Sequence, residues 1–201
     1  VYLPDRCVPM LPENLSNHWC SLVPNEDRAC LAVWMTINTE GRMKKVRFIR
    51  GLMRSHARLT YEQVQAYKDE GTLDGIQGNI DTGVVDNLYG AFDCLAKARL
   101  RRGTLELDIP EFDIVLDREE TKVVDVVRRE RLNSHKLIEE FMILANVAAA
   151  QTLEKRNIPL LFRIHEPPAM AKLEALNTIL KALDLPVLRQ NAGPSDFARL
   201  L

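Results

Sequence analysis

This 201-residue sequence predicts an α+β fold, a single compact mixed unit with one helix buried at its centre. Three observations carry that expectation. Strand-like alternation clusters in two regions, helical apolar periods lie between and after them, and one segment, 135–156, is apolar nearly all round. At 46% hydrophobic, the chain has the material for a sizeable core in one domain.

The elements follow in order. Prolines at positions 4, 9, 12 and 24 predict an irregular, ordered stretch over 1–27. From 28 to 38 the alternation of Leu31, Val33, Met35 and Ile37 predicts a strand. The turn Thr39-Glu40-Gly41 leads to a second strand marked by Val46, Phe48 and Ile49, which completes a hairpin. Thr60-Tyr61-Glu62-Gln63 fits a capping box, in which a Thr hydroxyl takes the amide three residues on and a Gln reaches back. A short helix over 60–70 is therefore expected. The run GTLDGIQGNIDTG holds four of the nine glycines and has no apolar period, so it predicts a mobile surface loop.

A helix over 84–102 follows, with a stripe through Leu88, Phe92, Leu95 and the stem of Arg99, closed by Gly103. Short strands are expected at 104–109, 112–116 and 121–128, the last two joined by a charged turn at 117–120. Asn133 and Ser134 can cap the apolar helix over 135–156. LLFRIH (160–165) predicts a strand, 170–183 an amphipathic helix, and Pro194-Ser195 opens a last one.

Charge and cysteine usage bound the function only loosely. Lys and Arg number 27 against 28 Asp and Glu, a balance that neither requires nor excludes a nucleic-acid partner. Cys7, Cys20, Cys30 and Cys94 form no CxxC pair and no zinc-ligand spacing, which predicts reduced thiols in a cytoplasmic protein. No segment reaches the roughly 18 apolar residues of a spanning helix, so no membrane partner is expected. The chain opens on Val-Tyr-Leu-Pro and stops on FARLL, and both ends read as cut, as in a fragment of a longer protein.

The residues with chemical interest are few. Glu139 and Asn146 lie seven apart on one face of the apolar helix, with Ile143 and Ala150. A carboxylate there either lines a cavity or forms a buried ion pair with an arginine. His135 and Glu139, at i,i+4, have the spacing of a shared metal, although a helix-start histidine and a core-edge carboxylate is the plainer reading. Arg54-Ser55-His56-Ala57-Arg58 offers cations and a hydroxyl for a phosphate, or an ordinary solvated strand end. Tyr2 and Tyr61 offer faces for stacking bases, though each alone reads first as half-buried packing. Arg163 and His165 precede Glu166-Pro167-Pro168 at an expected strand end, suited to binding or to an edge salt bridge.

Five stretches taken together resemble the ribonuclease II/ribonuclease R family, whose catalytic domain is called RNB. They are VYLPDRCVPMLPENLSNHWCSLVPNEDRACLAV (1–33), RSHARLTYEQV (54–64), LRRGTLELDIPE (100–111), HKLIEEFMILANVAAA (135–150) and RIHEPP (163–168). The resemblance keeps their order and covers essentially the whole chain, so 1–201 is expected to be part of an RNB catalytic domain.

What the resemblance implies is processive hydrolysis of single-stranded RNA from its 3′ end to nucleoside 5′-monophosphates. A divalent metal, usually Mg²⁺, activates the water in that chemistry. The family's aspartate cluster precedes the VYLP segment and its arginine-bearing segment would follow Leu201. This chain is therefore expected to be catalytically silent alone and to bind no metal of its own. The substrate side carries over. Tyr2 matches the tyrosine that sets the 3′ nucleotide, Tyr61 one that lines the cavity, and Glu139 a glutamate beside the terminal nucleotides. Leu107 stands where the family places an aromatic clamp. Arg54, Arg58, Asn146, Arg163 and His165 complete the expected RNA-binding set. An RNA-binding or scaffold protein without catalysis is the alternative, and a metal hydrolase on His135 and Glu139 a more distant one. With part of the domain absent, exposed apolar surface and self-association are expected.

Overall fold

In a computed structural model, which describes residues 1–105, 107, 109–117, 119 and 122–200, alternation and capping produce the mixed fold. β1 (Asp27–Ile37) and β2 (Met43–Arg54) form the expected hairpin, in a register that sets Val33 opposite Phe48 and Trp34 opposite Arg47. At its turn, Asn38 accepts the Arg42 amide through its side-chain oxygen at 2.8 Å. Gly41 takes φ +71°, and a Cβ there would lie 2.3 Å from the Cys94 carbonyl oxygen. Glycine is thus required both by the turn and by its close approach to the following long helix.

The first 27 residues are less irregular than their prolines suggest. Asn14–Trp19 winds into one wide π-helical turn, with the Cys20 amide donating to Leu15 at 2.9 Å. Pro12 does not prevent this because it sits ahead of the turn, where only its carbonyl is used, accepting from Leu15 and Ser16.

β3 (Ala57–Arg58) leads into α1 (Tyr61–Glu70), which starts as expected. Thr60 Oγ1 accepts the Gln63 amide at 3.2 Å, and Gln63 Oε1 accepts the Thr60 amide at 2.9 Å. The glycine-rich run after α1 is tied down at several points. Gln63 Nε2 donates to the carbonyls of Asp74 and Gly75, and β4 (Gln77–Gly78) pairs with β3. Several backbone groups of this loop thus have protein partners, which the glycine content alone does not reveal.

α2 (Thr82–Arg101) buries Val85, Tyr89, Leu95 and Ala98, and Gly103 closes it at φ +67°. Of the expected stripe, Leu95 is buried and Phe92 and Arg99 turn inward, while Leu88 lies toward solvent, because the face that meets its neighbours begins at Val85. β5 (Phe112–Leu116) and β6 (Val123–Arg128) pair antiparallel. The described residues of 104–109 are not in a strand, and positions 106, 108, 118, 120 and 121 of the expected strands and turn lie outside the described residues.

α3 (Asn133–Glu154) begins two residues before expectation. Its N-cap is Leu132, whose amide donates to His135 Nδ1 at 3.2 Å, so Asn133 and Ser134 lie within the first turn and do not cap it. Both α1 and α2 dock on α3, and Val85, Tyr89 and Leu137 form the core between them. The helix is central in that sense, yet only one side is covered: Ser134, Leu137, Glu140 and Ala148 are buried, while Ile138, Met142 and Val147 are exposed. An apolar circumference marks a helix made to be sandwiched, and here α1 and α2 supply one side of the sandwich.

The expected strand at 160–165 runs as an extended segment with no strand partner among the described residues, and Leu161 is 99% exposed. α4 (Met170–Ala182) and α5 (Pro194–Ala198) follow as expected around Leu173, Leu180 and Leu188. Asn177 brackets the returning chain, donating to Leu188 O at 2.9 Å and accepting its amide at 2.8 Å. Among the described residues no helix is long and apolar enough to cross a membrane.

Candidate nucleic-acid interface

The first turns of α1 and α3 meet, and that junction organises the most developed cleft. Ser134 Oγ donates to the Tyr61 carbonyl at 2.8 Å, and the Ser134 amide donates to Gln65 Oε1 at 3.2 Å. The next side chain, His135, stacks on the Tyr61 ring with centroids 4.2 Å apart and planes at 27°. Small and polar residues at the start of α3 allow this approach, since a bulkier residue than Ser134, which is 2% exposed, would hold the helices apart.

Beside the junction opens a cleft of about 700 Å³, walled by Leu107, Ile109, the run 128–131, His135 and Glu139. A shallower one of about 460 Å³ lies on the α1 side, against Glu62, Gln65 and Asp113, and shares His135 with the first. The lining combines apolar residues (Leu107, Ile109, Pro110) with a dense set of charged ones. Arg131 donates to Glu139 at 2.5 Å with both side chains nearly half exposed, and Arg129 stands 4.0 Å from Glu111. Hydrogen bonds from its own amide and the Thr60 hydroxyl, then the nearby charge of Arg129, lower the Glu62 carboxyl below the ordinary carboxylate range.

Of the two readings left open for Glu139, the cavity-lining one matches the structure; its pair with Arg131 is half exposed and not the buried ion pair of the other. The buried carboxylate of the helix is its neighbour Glu140, which accepts from Arg99 at 2.8 Å. Its periodicity was legible, three residues after Leu137 and eight before Ala148, on the face that packs.

Of the eight expected binding residues, only Glu139 lines the cleft; Tyr61 is not part of its wall and meets it only through the stack on His135. Tyr2, Arg54, Arg58, Asn146, Arg163 and His165 line none of these cavities. Tyr2 is 90% exposed in a small loop bridged to Cys7. Arg54 is engaged by Asp27 at 2.6 Å, and the same hydrogen bond lowers the Asp27 carboxyl and raises the guanidinium. Arg58 and Asn146 are exposed, as are Arg163 and His165 on the extended segment. The cleft residues passed over are Arg128, Arg129 and Arg131, whose signal was a cationic run at a strand end just ahead of a helix.

His135 and Glu139 share the cleft, but His135 Nδ1 accepts the Leu132 amide and Glu139 is held by Arg131. Among the described residues no three His, Cys, Asp or Glu side chains group to hold a metal ion. The hard oxygen set that Mg²⁺ takes does not fit the residues present.

The geometry has close counterparts. Residues 1–197 match the RNB domain model. The chain is 36% identical over 210 aligned residues to ribonuclease R of Escherichia coli K12, and 37% identical over 203 to that of Vibrio parahaemolyticus. All of this chain is covered in each case, with 25% and 24% of those proteins. Among solved structures, Mycoplasma genitalium RNase R in complex with ribose-methylated single-stranded RNA matches with a TM-score of 0.85 at 28% identity. That match covers 96% of this chain and 30% of the other. The same protein in complex with double-stranded RNA matches with a TM-score of 0.85 at 27% identity. The chain thus spans about a quarter of the curated relatives it matches. A family model over nearly its whole length, relatives above the 30% level and a shared fold together place this chain in the RNB domain family.

Proposed function

We propose that this chain is part of a 3′→5′ exoribonuclease that processively hydrolyses single-stranded RNA to nucleoside 5′-monophosphates, and that this portion lines the RNA path. The observation that carries the reading is the Tyr61–His135 aromatic step beside a cleft walled by Arg128, Arg129 and Arg131. Single-stranded RNA is bound by that combination: a π-face for a base and guanidinium groups for the phosphates. In this reading Glu139, free to exchange its half-exposed bond to Arg131, meets sugar hydroxyls as acceptor, while the arginine turns to a phosphate. The divalent metal, Mg²⁺ in this proposal, supplies charge stabilisation at the scissile phosphate and is held by the parent protein outside this chain. The four cysteines, all free, suit a reducing cytoplasmic setting.

Binding of a labelled single-stranded RNA, followed by anisotropy across a salt series, tests this reading in the full-length protein. Tyr61→Ala is expected to weaken binding by roughly 5- to 100-fold, the loss of one base-stacking platform. Arg129→Ala is expected to lower the salt slope by about 0.7, one single-strand phosphate contact. Equal affinity for a blunt duplex, with neither variant affecting the single strand, would contradict it. RNA binding without any turnover by the full-length protein would favour the binding or scaffold alternative.

A further inference from the structure

In the RNA reading Tyr61 offers the face for a base, and what His135 contributes to that face follows from three observations that meet on its ring. Its face lies on Tyr61 at 4.2 Å, its Nδ1 accepts the Leu132 amide at 3.2 Å, and it lines both cavities of the junction. The in-plane hydrogen bond fixes the rotation of the imidazole, and the stack fixes its tilt. Because Nδ1 is an acceptor, the neutral ring carries its proton on Nε2.

Tyr61, by contrast, is 41% exposed and starts a helix, where a phenol ring would ordinarily sample several rotamers. Its backbone is held by Ser134 and its ring by His135, two consecutive residues of α3. An aromatic platform fixed before the ligand arrives loses less side-chain freedom on binding than a mobile one.

We propose that His135 is a positioning residue, whose locked imidazole holds the Tyr61 ring in the orientation on which an RNA base stacks. This rests on the RNA reading above and adds to it a residue that acts through Tyr61. The hydrogen bond to Leu132 serves the helix; the ring face serves the site. The two tasks are separable by substitution. His135→Gln keeps a side chain that can reach back to the N-cap amide, as a capping-box residue does, but removes the ring. His135→Phe keeps the ring and removes the acceptor.

The test uses the full-length protein with two readouts. In the free protein carrying fluorotyrosine, the Tyr61 resonance is assigned through Tyr61→Phe and followed in each His135 variant. RNA turnover then gives KM and kcat. His135→Gln is expected to shift the Tyr61 resonance and to raise KM by roughly 2- to 12-fold at unchanged kcat, the value of one aromatic pair. It should add nothing in a Tyr61→Ala background. His135→Phe is expected to restore KM while losing some thermal stability. A resonance that stays put in His135→Gln would overturn the positioning role alone. So would a KM effect that adds fully to Tyr61→Ala, or a His135→Phe variant as impaired as His135→Gln. Absence of RNA turnover by the wild type would overturn the RNA reading, and this role with it, whatever the resonance does.

Discussion

The guanidinium of Arg99, near the end of α2, donates to the carboxylate of Glu140 in α3 at 2.8 Å, with the two side chains 18% and 7% exposed. This pair ties together the helices that carry the core, one residue along α3 from the half-exposed pair of Arg131 and Glu139 at the cleft. Adjacent glutamates on one helix thus have different settings, since successive residues point about 100° apart.

Breaking the buried pair should be costly. Arg99→Met leaves the Glu140 carboxylate buried without its cation, and the expected loss is about 3–5 kcal/mol by urea unfolding. Arg99→Met combined with Glu140→Leu should recover most of that loss, because two apolar groups can fill the same space. Glu139→Gln, at a half-exposed pair, should cost under about 1 kcal/mol.

Tyr89 makes the opposite case. It is 3% exposed, and its hydroxyl is buried without a hydrogen-bond partner among the described residues. Burial, then the Asp69 charge, raises its phenol above the ordinary value. Tyr89→Phe removes an unsatisfied group without changing shape, so it should unfold at the same or higher denaturant concentration, with a gain of about 1 kcal/mol. A loss of stability would mean that the hydroxyl has a partner after all.

The Thr60 box gives two further outcomes. Thr60→Ala should cost about 1 kcal/mol, as a lost N-cap does. Gln63→Ala should also release the loop, because Gln63 Nε2 holds Asp74 O and Gly75 O at 3.3 and 3.0 Å. Hydrogen exchange at residues 74–79 should accelerate in Gln63→Ala and not in Thr60→Ala.

Glu62 predicts a pH dependence. Its folded-state value is lowered, so the stability it contributes is present above the ordinary carboxylate range and is lost as pH falls through the lowered value. Glu62→Gln should therefore be less stable than wild type at pH 7, and the two curves should converge in acid, which thermal melts across pH would show.

Much of this was legible in the residues because the signals were local. The capping box at Thr60, the turn at Gly41 and the helix stop at Gly103 depend on a few adjacent positions, and each is realised. Errors arose where a partner decides. LLFRIH has strand composition, yet a strand needs an edge, and none among the described residues takes it. Leu88 and Val85 are both apolar, and only the placement of α3 and α1 selects Val85 for the core. Glu139 stood out as a carboxylate on an apolar helix and Tyr61 as an aromatic face, and family resemblance added their expected roles, whereas the Tyr61–His135 stack joins residues 74 positions apart and has no local signature.

The exposed apolar surface carries its own prediction. The chain exposes 16307 Å², where a closed monomer of this mass would expose roughly 9,600 Å². The ribbon β5–β6 shows Phe112, Ile114, Val124 and Val126 to solvent. By sedimentation, the isolated chain should associate as its concentration rises. Replacing Val124 and Val126 by Thr should reduce that association while moving the melting temperature little. A sharp monomeric transition at all concentrations would count against it.

The most direct test of the central claim is end-resolved digestion of one single-stranded RNA, labelled at its 3′ or its 5′ end, by the full-length protein with Mg²⁺ and by this chain alone. The full-length protein is expected to release the 3′ label at once as a nucleoside monophosphate and to shorten the 5′-labelled strand processively, and this chain alone to cut neither. Early loss of the 5′ label, internal cleavage, or cutting by this chain unaided would contradict it.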